Sequence, residues 1–363
     1  MKITKAILTG GGRATRLQPV TATINKHLLP LANKPMIVHA VEKVVEAGVT
    51  DIFINTNPGD TSLEAFLGDG SRFGARITYF EQTGGPQGIA HVVNEAERFI
   101  GDDPFLFYLS DNILLGSLQP LIQEFDEQGY DCMLALSEVP DPERFGVPIF
   151  DEKGNLVKVV EKPEHPPNHF AVTGVYLYGP KLFFDAFKRI HKSSRGEYEI
   201  SDIHSLLLHD GKKVGYKEIT GWWKDTGKPE DLLLANKLLL DGMNRSDFPN
   251  HGSVDASATV EGSVHVGAGS TVGKGVTIHG PAMIGNDCLL EDCTIGPHVT
   301  LGNGTQVNRA TIKNTIVLDG GRISGPCLLE DSLLGKKVTI RINGHETRTY
   351  RVILGDKTVV DVQ

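Results

Sequence analysis

The sequence predicts a two-part chain, an α/β domain with a mostly parallel sheet followed by a parallel β-helix, and three observations carry that prediction. Short apolar strand signals alternate with helix-period segments up to Leu240. Beyond Val254 an apolar residue recurs every six positions, a period that fits neither an α-helix nor a plain strand. Small residues and glycines fill the intervals, as the corners of a stacked coil require. At 363 residues the chain is too long for one typical core and suits two domains.

Ala6-Ile7-Leu8 reads as a short strand ending in Gly10-Gly11-Gly12. From Pro35, apolar residues at Ile37, Ala40, Val41, Val44 and Val45 keep helical spacing, with Pro35 suited to the first turn and Gly48 to the C-terminal cap. Asp51–Asn55 is the next strand. Phe105–Leu109 is apolar throughout, as a strand covered on both faces should be. Ligands in such sheets sit beyond the carboxyl ends of the strands, which directs attention to the loops after Leu8 and Leu109. The polar, punctuated stretch after Asp241 reads as a linker. The expected division is residues 1–241, a linker at 242–251, and a coil with a C-terminal tail at 252–363. In the coil Val254, Val260, Val266, Val272, Ile278, Ile284 and Leu290 keep strict register, which slips by one at Ile295 and resumes at Leu301 and Val307.

Formal charge is −9, from 45 acidic and 36 basic residues, a balance that repels a phosphate-rich polymer and argues against nucleic-acid binding. Anionic small molecules must then be met by local donors and cations. The four cysteines form no C-x-x-C pair and read as buried apolar filler. The N-terminal run is too short for a signal peptide's apolar region, and no stretch suits a bilayer span, so the expected location is cytoplasmic and off the membrane.

The loop Gly10-Gly11-Gly12-Arg13-Ala14-Thr15-Arg16 follows a strand, where glycines let backbone N–H groups approach phosphate oxygens and Arg16 offers a bidentate fork. Thr15 stands where a dinucleotide fingerprint needs glycine, and no Gly-Lys-Ser/Thr follows for a Walker A loop. Taken singly, this loop is also a plain tight turn, Asp111 and Asp225 are also turn formers, and Arg16 and Lys26 are also surface charges. Trp222 and Trp223 read as packing residues.

The constellation says more. Gly11–Pro19, Lys26-His27-Leu28-Leu29-Pro30, Lys34-Pro35-Met36, Leu109-Ser110-Asp111-Asn112, Arg144–Val147, Glu161-Lys162-Pro163, Arg195–Ile200 and Trp223–Gly227 together resemble the signature of the sugar nucleotidyltransferases, in the long glucose-1-phosphate thymidylyltransferase form. The resemblance implies a Rossmann-like mixed sheet followed by a left-handed parallel β-helix of hexapeptide repeats. It also implies Mg2+-dependent joining of a nucleoside triphosphate (dTTP or UTP) to a sugar 1-phosphate. Arg16, Lys26, Asp111 and Asp225 would be catalytic, with both aspartates as metal ligands. Gly10, Gly11, Gly12, Arg13, Gln82 and Gly88 would bind nucleotide, and Gly146, Glu161, Lys162 and Gly174 the sugar phosphate. A homo-oligomer assembled through the coil is the expected form, a trimer being the family's habit.

Bringing two polyanions together requires positive charge in line with the bonds that form and break, which is the role such cations would fill. Four features depart from the family pattern: Thr9-Gly10 for Leu-Ala, Ala14 for glycine, Ser110 for glycine, and one extra residue between Gln82 and Gly88. An alanine at position 14 is costly if its φ is positive. Two alternatives stay open: a UTP-dependent enzyme acting on glucose or N-acetylglucosamine 1-phosphate, and a non-catalytic sugar-nucleotide-binding assembly subunit. A third, acyl transfer on the coil through His265, His279 or His298, is disfavoured because no large loop interrupts the coils.

Overall fold

The computed structural model describes residues 2–12, 14–344 and 346–363. Packing divides the chain into two units, Met1–Arg13 with Ile37–Lys224 and Ala14–Met36 with Asp225–Gln363.

The first unit is built on a mixed sheet. Lys5–Thr9 lies between Asp51–Thr56 and Phe105–Tyr108, parallel to both, and Arg76–Glu81 extends the parallel half. Phe170–Tyr178 runs antiparallel to Phe105–Tyr108 and opens the other half, pairing with Cys132–Glu138 and touching Gly146–Phe150 at Val172. Leu156–Glu161 folds back on Gly146–Phe150, and Val214–Glu218 runs parallel to Cys132–Glu138. Every residue of Phe105–Tyr108 is buried, which is why that segment is apolar without alternation. Phe105, Phe107, Tyr176, Tyr178 and Phe183 share one core, and each large side chain contributes about 2–3 kcal/mol by leaving water. The helix expected near Pro35 spans Met36–Glu46. Gly48 (φ 82°) closes it, with Gly48 N–H donating to the Val45 carbonyl and Val49 N–H to that of Val44.

The second unit is the coil together with residues 14–36 and the helix Pro229–Gly242. Three short strands make each of the early turns, whereas Gln306–Lys313 and Arg322–Glu330 each run through a corner as one longer strand. Val254 stands over Val272, then Leu290, Val307, Ile323, Ile340 and Val360 in one parallel column. The interior members Val272, Leu290, Val307 and Ile323 are buried. At one corner asparagine and aspartate side chains link successive turns: Asn286 accepts from Ala268 N–H, Asn303 from Asn286 N–H, and Asp319 from Asn303 N–H. The coil continues to Val362, well past the last residue that keeps the six-residue pattern.

Residues 14–36 run as three 3-10 turns and a tight hairpin, Pro30–Leu31 against Lys34–Pro35, whose Ala32 and Asn33 both have positive φ. Ala32 packs with Leu240, Phe248 and Met283, and its N–H donates to Asn236. These contacts are why division by packing differs from the division at 241 read from composition. The segment read as a linker carries a capped turn at Arg245–Asp247 and the buried Phe248, and Asn250 bridges to Val266. All four cysteines are free and buried, the filler role expected of them. Among the described residues no helix is long and apolar enough to cross a membrane.

Candidate active site

The glycine loop leaves the central strand of the parallel half, and two asparagines, one near the end of the neighbouring strand and one just past it, shape it. Gly10 N–H donates to Asn55 Oδ1 at 3.0 Å and Gly12 N–H to Asn57 Oδ1 at 2.9 Å. A Cβ on Gly10 would lie 2.6 Å from the Asn55 carbonyl oxygen, and one on Gly11 would lie 2.8 Å from Asn55 Nδ2. Glycine is therefore required by the protein's own packing. The Gly10 and Gly12 amides are engaged by side chains of the chain, so the loop is held in shape before any phosphate arrives. Arg13 lies outside the described residues.

Asp111 follows the adjacent strand, as the strand-end rule predicts. Ser110, fully buried, ties the two loops together: its N–H donates to Thr9 Oγ1 at 2.9 Å, and its hydroxyl donates to the Thr9 carbonyl. Asn112 Nδ2 donates to Asp111 Oδ1 at 2.8 Å, while Asn112 Oδ1 accepts from Trp223 Nε1 at 2.9 Å. Trp223 is buried edge-on to Phe145, the packing role expected of it. The strand Trp223–Asp225 is thereby held through Trp223, and its last residue, Asp225, opens the second unit.

Within that second unit Arg16 and Asp225 meet at Gly227. The Arg16 Nη2 and Asp225 Oδ2 atoms each lie 2.9 Å from where a Gly227 Cβ would stand. Lys26 begins the 3-10 turn Lys26–Leu28, whose cap is Asn25; the Asn25 side chain accepts from His27 N–H at 3.0 Å. Ala14, at the entry to the Thr15–Leu17 turn, has φ 45° and ψ 38°, the left-handed conformation that makes a side chain costly.

On the far side of the parallel half, Gln82 is buried just past Arg76–Glu81. Gly88 has φ 97°, and a Cβ there would lie 2.5 Å from the Tyr198 carbonyl oxygen. Glu95 holds the intervening loop by accepting from Thr83 N–H at 3.0 Å and from its hydroxyl at 2.8 Å.

A third group gathers in the antiparallel half. Glu161 accepts from Ser201 Oγ at 2.7 Å and faces Lys162 Nζ at 3.4 Å and Arg195 Nη2 at 3.6 Å. Arg195 binds the buried Glu199 through Nε at 3.1 Å and Nη2 at 2.7 Å, and that bond raises the pKa of its guanidinium. Burial, with Glu199 and Glu161 nearby, raises the Asp202 carboxyl. A Cβ on Gly146 would lie 2.8 Å from Ser201 Oγ, and one on Gly174 would lie 2.6 Å from Leu109 Cβ, so both glycines leave room for neighbours.

The structure thus brings together the glycine loop with Ser110 and Asp111, Arg16 with Asp225, and Gly146 with Glu161 and Lys162. Sequence reasoning missed Asn55, Asn57, Glu95 and Ser201; the first two are signalled only by polar residues at the end of an otherwise apolar strand. Among the described residues no group of three or more His, Cys, Asp or Glu side chains forms a metal cluster. A carboxylate just past a buried parallel strand suits a hard divalent cation that keeps water and phosphate oxygens as its other ligands, so the donor chemistry of Asp111 fits Mg2+.

A glycine loop and a carboxylate at the carboxyl ends of adjacent parallel strands, with cations elsewhere in the chain, define a nucleotide-handling α/β enzyme. The chain belongs to the nucleotidyl transferase family, which residues 5–242 match. It is 36% identical to the glucose-1-phosphate thymidylyltransferase of Streptomyces antibioticus over 99% of both chains. It is 38% identical to the low-salt glycan biosynthesis nucleotidyltransferase Agl11 of Haloferax volcanii, over 88% of this chain and 89% of that one. A Bacillus anthracis structure described as a glucose-1-phosphate thymidylyltransferase in complex with sucrose superposes with TM-score 0.62 at 40% identity, covering 66% of this chain and 96% of that one. The chain is a sugar-1-phosphate nucleotidyltransferase.

Proposed function

We propose that the enzyme joins dTTP to glucose 1-phosphate, giving dTDP-glucose and pyrophosphate. A phosphate oxygen of the sugar attacks the α-phosphorus of the nucleotide, the bond from that phosphorus to the bridging oxygen breaks, and pyrophosphate leaves with the electron pair. No covalent enzyme intermediate is needed. Arg16, Lys26 and Arg13 bind the triphosphate and balance the charge that grows on the departing pyrophosphate. The Gly10–Gly12 loop keeps the chain close to the phosphates. Asp111 and Asp225 hold Mg2+, which when bound neutralises phosphate charge and aligns the reacting groups. Gln82 and the loop to Gly88 read the pyrimidine. Glu161 orients sugar hydroxyls, Lys162 meets the sugar phosphate, and Gly146 and Gly174 line the sugar pocket.

The observation that carries this reading is the Thr9–Ser110 tie, which sets the glycine loop beside the Asp111 loop at the carboxyl ends of two interior strands. Residues 1–241 are the catalytic domain, 242–251 the connection, and 252–363 the coil, through which copies assemble into a closed homo-oligomer. The test is pyrophosphate release with dTTP, UTP and GTP, each with glucose 1-phosphate and with N-acetylglucosamine 1-phosphate. Asp111→Asn and Asp225→Asn should each lose at least about a hundred-fold in turnover. Unchanged turnover in either variant removes that residue from the metal site, and preference for GTP removes the pyrimidine assignment. A methyl group on the base contributes only about 1–3 kcal/mol, so UTP should be used at a lower rate.

A further inference from the structure

The coil's last turn grips the segment that carries Arg16 and Lys26. Thr23 donates its hydroxyl to Asp356 Oδ2 at 2.7 Å across a sequence separation of 333 residues. Asp356 Oδ1 meanwhile accepts from Lys336 N–H at 2.7 Å, which locks that carboxylate into the coil. Next to it, Gly355 is pressed against Pro19: a Cβ there would lie 3.0 Å from the Pro19 carbonyl oxygen and 3.2 Å from its Cβ. The other end of the segment is fixed to earlier turns, where Asn33 Nδ2 donates to the Leu301 carbonyl at 3.0 Å. Thr15–Leu17 precedes the first anchor, Val20–Ala22 lies within it and Lys26–Leu28 lies between the two; all are single 3-10 turns, which have too few internal hydrogen bonds to be rigid alone.

We infer that Gly355 and Asp356 are positioning residues: the terminal coil turn splints residues 14–28 and so fixes Arg16 and Lys26 for the reaction. The inference rests on the reading that those two cations act on the triphosphate. It gives the coil a part in turnover inside one chain, separate from assembly. Small displacements of a charge-stabilising group are costly because its contribution depends on preorganised geometry.

Thr23→Val removes one hydroxyl and leaves the Asp356 bond to Lys336 in place. Gly355→Ala pushes on Pro19 from the coil side. In the full-length enzyme each variant should raise amide exchange at Leu17, Gln18 and Ala22 several-fold, and lower kcat by about three- to ten-fold, with Tm within about 2 °C of the parent. Asp356→Asn keeps an acceptor for Lys336 and a polar partner for Thr23, and should stay close to the parent in both readouts. Unchanged exchange in both Thr23→Val and Gly355→Ala overturns the splint, and faster exchange with unchanged kcat overturns its role in turnover. Full turnover in Arg16→Ala would instead remove the underlying reading of Arg16, while the exchange signature of the tether would persist; that separates the two failures.

Discussion

Thr9 and Ser110 are clasped at the carboxyl ends of adjacent parallel strands through two bonds that Ser110 donates, its N–H to the Thr9 hydroxyl at 2.9 Å and its hydroxyl to the Thr9 carbonyl. Both positions stand out in the sequence as departures from the pattern that the resemblance implies. What reads in the sequence as two separate disturbances of the nucleotide loops is in the structure one mutual contact, each hydroxyl supplying the other residue's backbone with a partner.

Thr9→Val is therefore expected to be worse than its size suggests. It leaves the buried Ser110 N–H without its acceptor, a loss of about 1–3 kcal/mol. Ser110→Ala retains that amide bond and should cost less, about 1 kcal/mol. Urea unfolding of both single variants and the double variant measures the pair. A double variant no less stable than Thr9→Val alone would reveal the coupling directly, whereas strict additivity would mean that the two residues act independently.

Ala14→Gly should stabilise the protein. Ala14 sits at φ 45°, where an L side chain costs roughly 1–2 kcal/mol, while glycine gives back part of that through the greater freedom of the unfolded chain. The expected net gain is about 0.5–1 kcal/mol in urea unfolding. A loss of stability would show that surrounding contacts, such as the bond from Thr21 Oγ1 to the Ala14 carbonyl, leave the alanine unstrained.

His204 sets part of the acid limit of the fold. It is fully buried, bonded to the Tyr178 hydroxyl at 2.8 Å, and burial lowers its pKa to about 3. The unfolded chain binds a proton near its ordinary value of 6.5, and the folded chain does not until about 3. This group's contribution is complete above pH 6.5 and declines as pH falls through the window between those values. From pH 7 to pH 5 the decline should be about 2 kcal/mol. His204→Gln should lower stability at pH 7 yet flatten that slope, which urea unfolding at several pH values would show. An unchanged slope would assign the acid sensitivity to other groups.

Much of this was legible in the sequence, for reasons that also explain what was not. Val254 to Leu290 could be read as a coil because three rungs of six return each residue to its own column. From Leu290 the next column partner is Val307, and from Val307 it is Ile323, so turns shorten and the period dissolves although the coil continues. Long strands such as Arg322–Glu330 run through a corner, with Gly325 (φ 106°) inside the strand, so turn and strand signals no longer separate. The position of Asp111 just past Phe105–Tyr108 was findable because the strand is legible as an unbroken apolar run. Asn55 and Asn57 were not, because their partners Gly10 and Gly12 lie 45 positions away and no local pattern marks such a bond. The tie between Thr23 and Asp356 is further still beyond any window of local reasoning.

The group around Glu161 yields the most discriminating test of the sugar side. Glu161 is held by Ser201 at 2.7 Å and lies against the cations of Lys162 and Arg195. Glu161→Gln keeps the shape and the capacity to accept from Ser201 but removes the charge that Lys162 and Arg195 face. Gly146→Ala keeps the charge but places a Cβ within 2.8 Å of Ser201 Oγ, displacing the hydroxyl that aims the carboxylate. If Glu161 orients the sugar, both variants should raise KM for the sugar 1-phosphate by about ten-fold or more, with KM for the nucleoside triphosphate nearly unchanged. If Lys162 meets the sugar phosphate, which carries the attacking oxygen, Lys162→Ala should act on the same KM and also lower kcat. If instead the Glu161 cluster only holds the strand end, all three variants would lower the unfolding free energy and leave both KM values where they were.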